Sequence, residues 1–93
     1  MGTARTLGGI VLLMDKYPAK LIEALELDAE GDWDTAHQIV QKIEDPRAYR
    51  IHAYLHRKEG DLGNAGYWYS RAGQTMPDYD LNREWQELHD AIS

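Results

Sequence analysis

The chain has no cysteine, no phenylalanine and only three prolines. Without cysteine there is no disulfide and no thiolate metal site, and the composition suits a reducing compartment, so a cytoplasmic location is expected. Without phenylalanine, aromatic bulk falls to Trp and Tyr, whose polar ends favour half-exposed positions. Low-complexity tracts and linkers are also missing, so the 93 residues are expected to form one domain.

The longest apolar run, residues 7–14, is much shorter than the roughly 20 residues of a membrane-spanning helix. Asp15 and Lys16 follow it without a small-residue cleavage site, unlike a signal peptide. The start Met1-Gly2-Thr3-Ala4-Arg5-Thr6 meets only the loose pattern for N-myristoylation. No membrane partner is expected. A net charge of −6 also argues against general nucleic-acid binding. Acids are absent in one place: none lies between Asp45 and Glu59. Arg47, Arg50, Arg57 and Lys58 all lie there, four of the ten basic residues.

What is present is an internal echo. Glu30-Gly31-Asp32-Trp33-Asp34-Thr35-Ala36 returns 29 residues later as Glu59-Gly60-Asp61-Leu62-Gly63-Asn64-Ala65. Ile22 maps on Ile51, Ala24 on Ala53, Val40 on Tyr69 and Lys42 on Arg71. A fixed offset of this size indicates one supersecondary unit used twice.

The apolar spacing is helical, and no stretch alternates with period two. Leu7, Ile10, Val11 and Met14 have helical spacing, weakened by Gly8-Gly9. Pro18 suits the first turn of the next helix, whose stripe is Leu21, Ile22, Leu25 and Ala29. Gly31 stops it and Asp32 caps a helix with Trp33, Ala36, Val40 and Ile43 on one face. Asp45-Pro46 breaks that helix. Ala48, Ile51 and Leu55 form the next stripe. Gly60 stops and Asp61 caps again, and Leu62, Ala65, Tyr69 and Ala72 are expected to face inward. After a loop at Met76-Pro77-Asp78, a last helix carries Leu81, Trp85, Leu88 and Ile92 on one side. Arg83, Glu84, Glu87 and Asp90 lie elsewhere on it.

Turns this short make each helix pair antiparallel, and Ala24 with Ala36, or Ala53 with Ala65, would let paired backbones approach closely. A pair cannot bury its stripe alone, so pairs stack. The expected fold is all-α, with about six helices. Residues 1–17 form an N-terminal helix or arm, 18–45 a first unit, 46–77 a second, and 78–93 a capping helix. So short an array leaves room for a homodimer.

Gly60-Asp61-Leu62, Ala65, Tyr69, Ala72 and Pro77 resemble the second half of the tetratricopeptide repeat. Gly31-Asp32-Trp33, Ala36 and Val40 resemble it in the first unit, and Ala24 and Ala53 occupy its small-residue site. Pro46 comes two residues early, Lys20 and Tyr49 stand where that family prefers Trp, and His56 stands where it prefers Tyr. The resemblance spans about residues 18–77 and implies a right-handed stack whose inner groove is lined by the first helix of each pair. The segment from His52 to Asp61, with Tyr67-Trp68-Tyr69 and Arg71-Ala72-Gly73, is also similar to a family of small uncharacterised microbial proteins. That second resemblance implies no activity.

Three constellations could carry chemistry. Arg47, Arg50, Tyr54, Arg57 and Lys58 fall within about a third of one helix circumference. By resemblance they would face the groove, where arginine forks could hold carboxylates beside an aromatic ring. The alternative is a solvated face whose cations pair with neighbouring Asp or Glu. His52 and His56 have the i, i+4 spacing of a chelating pair, but no Glu sits beside the first. A third ligand would have to come from His37, Glu59 or a neighbouring helix. The pair is read as lining the edge of the apolar face, with no metal and no cofactor expected. His89 reads as surface. Among the aromatics, Tyr67 and Trp68 cannot both face inward with Tyr69, and an exposed ring beside Arg71 would be a contact hot spot.

No nucleophile has a triad or elbow context, there is no phosphate loop, and Glu23, Glu26 and Glu30 read as a solvated face. The function expected is a non-enzymatic module for a protein or peptide partner, with an acidic segment or C-terminal carboxylate as its target. The expected contacts are Arg47, Arg50, Tyr54, Arg57, Lys58 and Trp68. The alternative is a protein for a small anionic ligand or metal, using Arg50, Arg57, His52 and His56.

Overall fold

A computed structural model describes residues 17–93. The helix expected around residues 7–14 and the Met1-Gly2 pattern lie outside the described residues. The described chain forms five α-helices and no strand: α1 Tyr17–Ala29, α2 Trp33–Val40, α3 Pro46–Glu59, α4 Leu62–Arg71 and α5 Leu81–Ile92. No helix among the described residues is long and apolar enough to cross a membrane.

Aspartates begin four of these helices. The side chains of Asp32, Asp45, Asp61 and Asp80 accept from the backbone N–H of Thr35, Arg47, Asn64 and Arg83. Each satisfies a donor that the first helical turn leaves unpaired. The echo repeats at the helix ends as well. Gly31 and Gly60 adopt left-handed φ values of 93° and 91°. The following residues, Asp32 and Asp61, donate back to Leu27 and His56 at 2.8 and 2.9 Å. This is the six-to-one closure of a glycine-stopped helix.

Helix α1 packs along α2, and α3 along α4. Contact between α2 and α3 joins the two hairpins, while α5 lies against α1 and α3. Leu21, Leu25, Val40, Ile51, Leu55 and Leu88 are buried in one core, with Trp33, Ile43, Leu81, Trp85 and Ile92 packed against it. Ala53, Ala65 and Tyr69 form a smaller cluster inside the second hairpin. Ala24, Ala36, Ala53 and Ala65 are all fully buried, as a close crossing of paired helices requires.

Three expectations about facing are corrected. Ala29, placed on the stripe of its helix, is exposed, and Asp28 takes the buried position beside it. Leu62 is 56 % exposed, because the first residue of α4 sits at the rim where the turn from α3 enters. Glu84, read as lying off the apolar face of the last helix, is fully buried. Its position between Leu81 and Leu88 turns it towards α3.

Candidate functional site

Helix α3 is the centre of the molecule, and its two faces carry different chemistry. Arg50, Tyr54, Arg57 and Lys58 project from one side. His52 and His56 lie about half a turn away, on the other.

The first face is closed by neighbouring acids. Arg57 Nη1 donates to Glu84 Oε1 at 2.9 Å, and a second Arg57 nitrogen donates to the Tyr79 carbonyl. Tyr69 Oη donates to the same carboxylate, 2.7 and 2.6 Å from its two oxygens. Arg50 lies 3.9 Å from Glu84 and 3.6 Å from Glu87. Towards α1, Tyr54 Oη donates to Asp28 Oδ2 at 3.0 Å, and Lys58 Nζ reaches Asp28 Oδ1 at 2.9 Å. Arg47 bonds Asp45 at 2.9 Å. Burial, and then the adjacent carboxylates, push the Tyr54 and Tyr69 phenols well above their ordinary range, so both remain proton donors.

The basic stripe is therefore no open groove. Buried Asp28 and Glu84 engage Tyr54, Arg57 and Lys58, Asp45 engages Arg47, and α5 covers the face that the first helices of both pairs present. An unpaired buried carboxylate is strongly disfavoured, so each acid requires these partners. The reading in which the stripe pairs with neighbouring Asp or Glu describes this geometry. The signal for Asp28 and Glu84 was their spacing, Asp28 after Leu21 and Leu25, Glu84 between Leu81 and Leu88.

The second face gathers histidines and tryptophans from three helices. His52 and His56 of α3 are 5 % and 6 % exposed, and half-buried His37 comes across from α2. The His37 ring centroid is 4.6 Å from that of His52 and 5.1 Å from that of His56. One ring nitrogen from each of the three lies within 4.8 Å of the others. Tryptophans fix the ring planes: Trp33 stacks on His37 at 4.9 Å and Trp68 on His52 at 4.0 Å. Glu59 Oε2 sits 2.6 Å from His56 Nδ1. Burial, reinforced by the other imidazoles, pulls the His52 ring down to about 4; burial and then His56 also lower His37.

Beyond Trp68 the cluster continues to the surface. The Arg71 guanidinium lies 4.7 Å from the Tyr49 ring centroid, 5.2 Å from Trp68 and 5.9 Å from Tyr67. Tyr67 is 55 % exposed, the outward aromatic expected of that triplet. A depression of about 130 Å³ opens here, lined in part by Gln41, Glu44, Tyr49, Trp68 and Arg71. A larger one, about 410 Å³, lies on α1 and α2 between Tyr17, Lys20, Ile39 and Lys42, away from the histidines. His89, read as surface, instead stacks on Trp85 at 5.0 Å and reaches within 3.6 Å of Glu26.

No protein-family model, no curated protein and no solved structure matches this chain.

Proposed function

We propose that this chain is a non-enzymatic, tetratricopeptide-like module of the cytoplasm, two helix pairs closed by α5, that binds an acidic peptide segment or a free C-terminal carboxylate. The contact surface in this reading is Arg71 with Tyr49, Tyr67 and Trp68. The supporting observation is that Arg71 is exposed, rests among three aromatic rings, and has no carboxylate within ion-pair distance among the described residues. Of the cations expected to bind, Arg57 is hydrogen-bonded to Glu84, and Arg50 faces Glu84 and Glu87 at ion-pair distance.

The chemistry is that of a small hot spot. An arginine laid on aromatic faces keeps its fork oriented at little entropic cost, and a carboxylate can take two of its N–H donors at once. The rings add apolar contact for the residue beside that carboxylate. Such binding weakens with salt.

The test is a library of acidic and free-C-terminal peptides screened at low salt against the full-length protein, read by fluorescence anisotropy. Micromolar binders are expected, weakened at least about tenfold by Arg71→Glu, since one arginine–carboxylate contact contributes about 1.5–3 kcal/mol. Equal binding by the Arg71→Glu variant, or no binder at all, overturns the reading.

A further inference from the structure

We propose that His37, His52 and His56 form a binding site for one divalent transition-metal ion of the imidazole-preferring class, with Zn²⁺ as the representative. Three observations converge on it. The first is the donor set. His52 and His56 stand one helical turn apart on one face of α3, and His37 arrives from α2, so the third ligand comes from a separate element. A nitrogen of each lies within 4.8 Å of the other two. In a tetrahedral zinc site with bonds of about 2.0–2.1 Å, ligand nitrogens sit about 3.3 Å apart. Closing the cluster therefore asks for movements on the order of an ångström, within the reach of χ rotations.

The second observation is Glu59. Its carboxylate oxygen lies 2.6 Å from Nδ1 of His56. A carboxylate there takes the Nδ1 proton as its hydrogen bond and leaves the lone pair on Nε2. This is how metal-ligating histidines are commonly oriented from behind. The bond is short-range in sequence, and Glu59 is exposed, so it has no packing role to explain its position.

The third is that the other two rings are held in place but not used. His37 and His52 make ring contacts with Trp33 and Trp68 and no hydrogen bond among the described residues. Neither ring has a fully buried unpaired nitrogen, since Arg50 Nε alone is in that state among the described residues. Here two rings are immobilised by indoles on their faces while their nitrogens remain available at the edge. Three imidazole ligands with no thiolate suit zinc, copper or nickel over magnesium or calcium. Three protein ligands leave a fourth position for water or for a donor from a bound molecule.

The experiment uses the full-length, untagged protein freed of metal by a chelator. Isothermal titration with Zn²⁺ at neutral pH is expected to give one site with a micromolar or tighter Kd, and Co²⁺ is expected to give the intense visible absorption of tetrahedral coordination. Glu59→Gln should weaken binding about 10- to 100-fold, the usual cost of losing an orienting partner. His37→Gln, half-buried and able to fold, should abolish the cobalt band, while His89→Gln should leave both readouts unchanged. Folding of each variant is checked by circular dichroism. No saturable site in the wild type, or a cobalt spectrum unaltered in folded His37→Gln, overturns the proposal.

Discussion

The Tyr69 hydroxyl of α4 lies 2.6 Å from the Glu84 carboxylate of α5, which Arg57 of α3 approaches at 2.9 Å on its other oxygen. Three helices thus meet on one fully buried acid. Removing the acid strands a half-buried guanidinium and a buried phenol together. Glu84→Ala should cost about 3–5 kcal/mol of stability in urea unfolding. Tyr69→Phe, which removes one hydrogen bond and keeps the ring, should cost only about 1–2 kcal/mol. Similar losses for both would mean that the carboxylate contributes little beyond its bond to Tyr69.

Crossings between paired helices should tolerate no added volume. Ala65 is fully buried between α3 and α4, while its neighbour Asn64 is exposed. Ala65→Leu should lower stability by about 1–3 kcal/mol, and Asn64→Leu by much less. Equal melting temperatures for the two variants would remove the close crossing from the account of the second hairpin.

Two glycines should respond with opposite sign. Gly60 ends α3 at a φ of +91° with open space around it, so the cost of a methyl group there is one of backbone conformation alone. Gly63 lies inside α4, also in open space, with no positive φ. Gly60→Ala should destabilise by about 1 kcal/mol, and Gly63→Ala should stabilise by about 0.5–1 kcal/mol. Thermal unfolding of both variants checks the pair together.

Acid should weaken the fold before its carboxylates titrate. Burial holds His52 at about 4 in the folded protein, below the ordinary 6.5. The unfolded chain therefore binds the proton more readily. The stability gained by keeping the ring neutral is complete above about pH 6.5 and is lost as pH falls towards 4. His37 and His56 face His52 and oppose its charge, while Glu59 and Asp34 act on His37 in the opposite sense. Between about pH 6.5 and pH 5 the loss should approach 2 kcal/mol at most. A folded His52→Gln variant should show a flatter pH profile of melting temperature across that window, and parallel profiles would count against it.

The helices were legible because their signals are local. Gly31, Asp32, Gly60 and Asp61 announce two helix stops and two caps without reference to anything distant, and the structure uses all four so. The alanine pairs were legible for a similar reason, since a repeated small residue has few other uses at a stripe position. The path of α5 was not legible. A Leu81, Trp85, Leu88, Ile92 stripe says that one side must be covered, but not whether that side meets α4 or crosses α1 and α3. Asp28 and Glu84 were hidden by their type, because a lone acid within an apolar stripe reads as surface until its cationic partners are known. The same ignorance left Arg50 and Arg57 as open contacts. His37 was within view as a third partner for His52 and His56, yet its side chain meets theirs only through the packing of α2 on α3.

Each of the three tryptophans marks a different junction. Trp33 Nε1 donates to the Leu55 carbonyl at 2.8 Å, where α2 meets α3. Trp85 Nε1 donates to the Leu25 carbonyl at 2.8 Å, where α5 meets α1. Trp68 stacks on His52, where α4 meets α3. The protein therefore carries its own set of fluorophores, one at each of these three seams. Each indole also stacks on an imidazole, Trp33 on His37, Trp68 on His52 and Trp85 on His89, so a series of single-tryptophan variants would resolve in emitted light whether the C-terminal helix lifts away before the two hairpins part.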